Sequence, residues 1–187
     1  AEASFTQALT IDPKSEAAEV GLAAARELQG ELLLESGKAA EAIPLLEAAV
    51  ARSPTSANRY ALATAYIANK QLEKATPLLE QAVTAEPNNP DLHMAYGRTL
   101  REQKKYPAAA NEFYKAAQLR PERAEAWSDL AGMLILTENY QQALAALDKV
   151  HALGKETAAH HYFRAIVLDK FRQYKPALES YEKFLAM

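Results

Sequence analysis

The stretch AEAWSDLAGMLILTENYQQALAALDKV, residues 124–150, has the pattern of two amphipathic helices joined by a short turn. In each half the bulky and small apolar residues fall on one helical face, at spacings of three, four and seven: Trp127, Leu130, Ala131 and Leu134, then Ala143, Leu147 and Val150. The intervening TENYQQ is polar and short enough for an antiparallel turn. The stretch therefore predicts a helical hairpin.

The hairpin pattern recurs along most of the chain. One alanine returns at intervals of 33 or 34 residues: Ala42, Ala75, Ala109, Ala143 and Ala177. Twelve residues before each stands another small residue: Gly30, Ala63, Gly97, Ala131 and Ala165. Bulky residues keep the same register: Leu33, Tyr66, Leu100, Leu134 and Leu168, and also Phe5, Leu46, Leu79, Phe113, Leu147 and Tyr181. These columns predict a helical repeat.

Small residues are needed where the two helix axes of a hairpin approach most closely. A leucine there would push the helices apart, at a cost of roughly 1–3 kcal/mol. Prolines stop the second helix before the next unit begins: Pro13, Pro54, Pro87 and Pro121.

Residues 124–150 and the segment NPDLHMAYGRTLREQKKYPAAANEFYKAAQLRP, residues 89–121, resemble the tetratricopeptide repeat, and the resemblance covers nearly the whole chain. It implies an all-α fold, an α-solenoid of stacked antiparallel helix pairs in a right-handed superhelix. About five units are expected, plus a partial N-terminal helix, with the first helices lining a concave groove.

We expect residues 1–187 to form a single solenoid domain. Its units are the second helix of a partial unit (1–13), a unit with an extended first helix (15–55), three regular units (56–89, 90–123 and 124–157) and an incomplete final unit (158–187). Starting and stopping inside units indicates a piece of a longer array.

The unit 15–55 is longer than the others, because 41 residues separate Pro13 from Pro54. The Ala-, Leu- and Glu-rich run after Ser15 favours one helix extended by about two turns, with Ser15 as its N-cap. The alternative is an ordinary helix preceded by a short one, with a break near Gly21.

Composition argues against several classes of function. The net charge of −3 offers no polybasic surface for nucleic acid, and no stretch approaches the roughly 18 apolar residues of a membrane span. The N-terminus lacks the pattern of a signal peptide. The chain has no cysteine, so disulfides and thiolate chemistry are excluded, and the compartment is not determined.

The adjacent His160 and His161 do not predict a metal site. His161 occupies the repeat position of Trp127 and His93, a packing position for large amphipathic side chains. His160 points about 100° away along the helix, so we expect it to be exposed. Tyr106, Tyr140 and Tyr174 recur before second helices and are expected to pack in helix corners. No catalytic residue, metal or cofactor is indicated.

Binding residues are expected on the groove side of the first helices. The candidates combine aromatic, apolar and basic side chains: Tyr60, Thr64, Met94, Arg98, Arg101, Ser128 and Tyr162. An acidic residue beside an apolar one in a partner would suit Arg98, Arg101 and Met94. The alternative is that the two arginines are solvated or paired with acids of this chain, notably Glu102 and Glu125.

The resemblance implies a non-catalytic scaffold that binds a peptide or protein segment in its groove. The alternative is the tetratricopeptide region of a larger enzyme or secretion or assembly component that presents a partner in cis. The last helix carries apolar residues that no following unit covers, which predicts weak end-to-end self-association: Leu178, Tyr181, Phe184 and Leu185.

Overall fold

The computed structural model describes residues 2–187, and this part of the chain consists of helices and short turns without strands. Contacts divide it into two compact units, one up to Pro87 and one from Asn88 onward. The N-terminal unit contains α1 (Glu2–Ile11), α2 (Glu16–Glu35), α3 (Ala39–Arg52), α4 (Ser56–Ala68) and α5 (Leu72–Ala85). The C-terminal unit contains α6 (Pro90–Glu102), α7 (Tyr106–Leu119), α8 (Ala124–Leu136), α9 (Tyr140–Ala152), α10 (Ala158–Lys170) and α11 (Tyr174–Ala186).

Within each unit, consecutive helices pack as antiparallel hairpins, because small residues let the two helices of a pair approach. A β-carbon added to Gly97 of α6 would lie 2.8 Å from the ring of Phe113 on α7, and one added to Gly30 would lie 3.0 Å from Leu46. The alanines at the matching positions of the other hairpins, Ala63, Ala131 and Ala165, are fully buried. The repeat register predicted from the sequence therefore describes real helix contacts. The single-domain organisation stays a prediction.

The turn inside each hairpin uses a left-handed residue in the same register. The first helix ends just before a residue with φ between 58° and 76°, and its neighbours' amides bond back to the last carbonyls of the helix. Glycine occupies this position once, whereas the other hairpins use charged residues: Gly37, Lys70, Lys104, Glu138 and Arg172.

The helix α2 is one continuous helix of 20 residues that passes through Gly21 without a break. Ser15 is its N-cap, and the Ser15 hydroxyl accepts a hydrogen bond from the amide of Ala18 at 3.4 Å. The ring of Phe5 on α1 lies directly against Gly21. The additional turns of α2 are thus the surface on which α1 packs.

Tyrosines before the second helices differ in their burial. Tyr106 and Tyr140 are half-buried, and Tyr140 meets the ring of Phe171 edge to face with centroids 6.3 Å apart. Tyr174 is exposed, so the expectation that it packs in a helix corner is wrong. Leu178 and Leu185 of the same helix are exposed as well.

The close approach at Gly97 can be measured with a matched pair of substitutions. Replacing a helical glycine by alanine gains up to about 1 kcal/mol from helix propensity. At Gly132 of α8 a β-carbon meets nothing within 4 Å, whereas at Gly97 it meets the buried Phe113 ring. Overpacking costs roughly 1–3 kcal/mol, so Gly97→Ala should be less stable than Gly132→Ala by about that amount in urea unfolding. Equal stabilities would contradict the helix contact described here.

Candidate functional site

Arginine and acid side chains connect the first helices α6 and α8 of the C-terminal unit. Arg101 Nη1 donates to Asp129 Oδ1 at 2.7 Å, and Arg98 Nε lies 3.7 Å from the other oxygen of Asp129. Arg98 also donates to Glu125. A third arginine, Arg123, lies 3.3 Å from Glu125 and forms an ion pair with the acid at the start of α6, Asp91. We call this surface the arginine face.

The ion pairs follow from the repeat spacing. Arg98 and Arg101 lie three residues apart on α6, so they share one helical side, and Glu125 and Asp129 lie four residues apart on α8. The structure therefore shows the alternative interpretation, in which these arginines pair with acids of this chain. Of the two acids named for it, Glu125 is a partner, and the other partner is Asp129.

The arginine face is only partly desolvated. The side chains of Arg98 and Arg101 keep 40% and 37% of their surface exposed, whereas Asp129 keeps 19%. Burial raises the pKa of Asp129 above its ordinary value, although the charges of Arg101 and Arg98 oppose that rise. Arginine presents five N–H donors in a fork, so groups beyond those bonded to the two carboxylates remain available to a ligand.

Met94 does not belong to this surface. Its exposure is 2%, and it lies in the core cluster that includes Phe113 and Leu130. The expectation that Met94 contacts a partner is therefore wrong. A long flexible thioether reaches and fills gaps between packed helices, so its position on the helix did not determine its exposure.

Ser128 and Tyr162 both lie on first helices and have neighbours of their own. The Ser128 hydroxyl lies 2.7 Å from His160 Nε2, between α8 and α10. Tyr162 is 42% exposed, and its ring centroid lies 5.2 Å from that of Phe184 and 6.3 Å from that of Tyr181. Tyr162 thus presents part of an aromatic cluster to solvent. The hydroxyl of Ser128 is already engaged in a hydrogen bond between two helices.

In the N-terminal unit, the candidates Tyr60 and Thr64 both lie on α4. Tyr60 is exposed, and the Thr64 hydroxyl donates to the Tyr60 backbone oxygen at 2.8 Å. Tyr60 offers an apolar ring to a partner. Thr64 offers little hydrogen-bonding capacity, because its own helix uses its donor.

His160 is buried, with 7% exposure, so the expectation of an exposed side chain is wrong. Its Nδ1 accepts the Thr157 amide at 2.9 Å at the start of α10, which leaves the Nε2 hydrogen to face Ser128. His93, a second buried histidine, lies with Nδ1 2.6 Å from Glu112, which also accepts from Lys115 at 2.8 Å. Within residues 2–187, no group of three or more His, Asp or Glu side chains could hold a metal ion.

No helix among residues 2–187 has the length and apolar character needed to span a membrane.

Three family models match the chain, and together they span residues 1–150. Two family models described as tetratricopeptide repeat match residues 1–57 and 33–99, and together they cover more than half of the chain. A third model, described as anaphase-promoting complex, cyclosome, subunit 3, matches residues 68–150. No curated protein sequence matches the chain.

Solved structures share the fold. MamA AMB-1 is 20% identical with a TM-score of 0.81, over 88% of this chain and 91% of that chain. MamA MSR-1 is 20% identical with a TM-score of 0.78, over 88% and 95%. Pseudomonas aeruginosa pilF is 25% identical with a TM-score of 0.69, over 88% and 75%. These likenesses confirm the predicted all-α solenoid class.

The hydrogen bonds of His160 predict a pH-dependent stability. Burial lowers its pKa below the ordinary 6.5; Glu156 opposes this shift and His161 adds to it. The unfolded chain therefore binds more protons just below pH 6.5. The stabilisation is complete above that pH and is lost as the pH falls toward the folded-state pKa.

Glutamine at position 160 can accept the Thr157 amide, as in a capping box, without titrating. The free energy of unfolding of His160→Gln should therefore fall less between about pH 7.5 and 5.5 than that of the wild type. His161→Gln, a change at the half-buried neighbour, serves as the control: it removes only the smaller contribution to the lowered pKa of His160, so it should reduce the slope less than His160→Gln does. An unchanged slope in His160→Gln would show that His160 does not cause the pH dependence.

Proposed function

Because the chain belongs to the tetratricopeptide repeat family, we propose that it is a non-catalytic scaffold that binds a peptide or protein segment along its first helices. The observation that carries the proposal is the arginine face: Arg98 and Arg101 are fixed by ion pairs and still keep about two-fifths of their side-chain surface exposed. Fixed, half-exposed guanidinium groups lose little conformational entropy when they bind a carboxylate.

The chemistry of the face favours a segment with an acidic residue. The carboxylate would contact the remaining N–H groups of Arg98 and Arg101, in the bidentate geometry that arginine permits. Since Met94 is buried, the apolar part of the segment must contact an exposed ring instead. Tyr162, on α10 of the same unit, supplies such a ring, so the segment would extend from α6 toward α10.

A second candidate function is that of an assembly component that presents a partner in cis within a larger protein. The match of residues 68–150 to a family described as a subunit of a complex supports the role in an assembly. Both functions use the same kind of surface. They differ in whether the bound segment belongs to another chain.

Self-association through the last helix remains a proposal of its own. Leu178 and Leu185 are exposed, and exposed apolar groups of this kind favour contact with a second surface. Sedimentation at rising concentration tests it: Leu178→Glu should shift the chain toward monomer if α11 forms the contact.

The arginine face can be tested with two variants that break the same ion pairs from opposite sides. A partner recovered from the source cells is purified, and its affinity is measured by calorimetry. Arg98→Gln with Arg101→Gln removes the donors and should weaken binding about tenfold or more, roughly 1.4 kcal/mol. Asp129→Asn keeps the donors but loosens the arginines that the ion pairs fix, so it should weaken binding less than the double arginine variant does.

Melting temperatures of all variants separate lost binding from lost stability. Equal weakening by the arginine and Asp129 variants would mean that the ion pairs stabilise the fold and that the arginines do not bind the partner. Unchanged affinity in the double arginine variant would mean that the partner does not use this face.

A further inference from the structure

A groove of about 740 Å³ lies on the other side of the C-terminal unit, between the second helices α7 and α9. Both of these helices pack against α8, which forms the floor of the groove. The floor is apolar, with Trp127, Leu130 and Leu134 as its large side chains. A groove of this volume falls within the usual range for ligand sites in proteins, about 300–1,000 Å³.

Tryptophan makes this groove different from its counterpart in the N-terminal unit. Residue 127 occupies the repeat position that Arg26 occupies in α2. There the groove is smaller, about 420 Å³, and its lining includes the charged Glu19, Arg26 and Arg52. The Trp127 Nε1–H donates to the Pro121 carbonyl at 2.9 Å, so its polar atom needs no further partner. Trp127 thus presents only apolar surface to the groove.

The walls of the groove carry polar groups without negative charge. Asn111, Tyr114 and Gln118 share one side of α7, and Gln142 and Lys149 share one side of α9. Amide side chains both donate and accept hydrogen bonds. Tyr114 is 47% exposed, so its ring is accessible from solvent. Of the residues that line the groove, Lys149 alone is charged, and its ammonium lies 6.0 Å from the centroid of the Trp127 ring.

We propose that this groove docks a short extended segment of a partner protein, with an apolar side chain against Trp127 and a carboxylate on Lys149. We expect a carboxylate in the segment because of charge complementarity: Lys149 is a cation, and the lining of the groove contains no acid that would neutralise it. Amide walls favour an extended segment, whose backbone N–H and C=O groups are free to bond with them. A helix satisfies those groups internally and would leave the amides without backbone partners.

The length of the groove fits a short contact. The part of α7 between Asn111 and Gln118 is about 10 Å long, because a helix advances about 1.5 Å per residue. An extended chain advances about 3.3 Å per residue, so roughly three residues span this wall. The apolar and acidic residues of the segment should therefore lie within about three positions of each other.

The proposal does not depend on the arginine face. The groove is formed by α7, α8 and α9 and contains neither Arg98 nor Arg101. Substitutions in one surface leave the other unchanged, so either binding site can fail without the other.

A selection experiment tests the groove directly. Random dodecapeptides displayed on phage are selected on the wild-type chain and counter-selected on Ala145→Phe, which fills the groove from an exposed position of α9. An enriched peptide is then synthesised with a fluorescein label and titrated by anisotropy. The expected pattern is an apolar residue within about three positions of Asp or Glu.

Matched variants locate the binding. Ala145→Phe should weaken the peptide about tenfold or more, whereas Gln141→Phe, an exposed position of α9 outside the lining, should leave affinity within about twofold. Lys149→Gln should weaken the peptide as much as replacing its acidic residue by the amide. The two changes together should cost no more than either alone, since they remove the same contact.

Three results would overturn the proposal: enriched peptides without an acidic residue, equal affinity for the wild type and Ala145→Phe, or a peptide that becomes helical on binding by circular dichroism. Melting curves accompany each titration. Equal weakening with Gln141→Phe would show that the loss of affinity is not specific to the residues that line the groove, and it would count against the proposal as well.

Discussion

The close approach of two helices within each hairpin is the contact on which the rest of the structure depends. It requires a residue without a large side chain on the first helix and a large side chain opposite, as with Gly97 and Phe113. Each hairpin has one apolar side that it cannot bury alone, so the hairpins within each unit stack. Stacking then produces two different surfaces: the first helices side by side, and grooves between successive second helices.

These two surfaces have different chemistry in the C-terminal unit. Arginines and acids connect α6 to α8 on the first, whereas the second has an apolar floor over Trp127 and amide walls. A charged surface directs and orients a partner, while an apolar groove supplies buried area. A scaffold with both can hold two segments at once, and linked segments bind more tightly together than either does alone.

Repetition explains how much the sequence could predict. Steric columns recur because every hairpin meets the same constraint, so the helix pairs were readable from Gly30, Gly97 and the alanines. The long α2 was readable from the 41 residues between Pro13 and Pro54. Side-chain partners do not recur. His160 is buried between α8 and α10, where its Nε2 lies 2.7 Å from the hydroxyl of Ser128, 32 residues away in the chain. Met94 is buried because its side chain reaches the core around Phe113.

The groove was missed for a related reason. Trp127 was identified only as a packing residue, although its indole also lines the groove. The signal was present in the small residues Ala145 and Ala146, which leave room on α9, and in the spacing of Asn111, Tyr114 and Gln118 on α7. The distance between α7 and α9 across α8 determines whether such residues enclose a cavity, and sequence periodicity alone does not predict that distance.

Photo-crosslinking of a bound partner tests the central claim, that both surfaces bind, most directly. A benzophenone amino acid is placed at Tyr162 for the first helices, at Tyr114 for the groove, and at the exposed Ile11 of α1 as a control outside the proposed contacts. The account predicts crosslinks from Tyr162 and Tyr114 and none from Ile11. Crosslinking from Ile11 alone would contradict it.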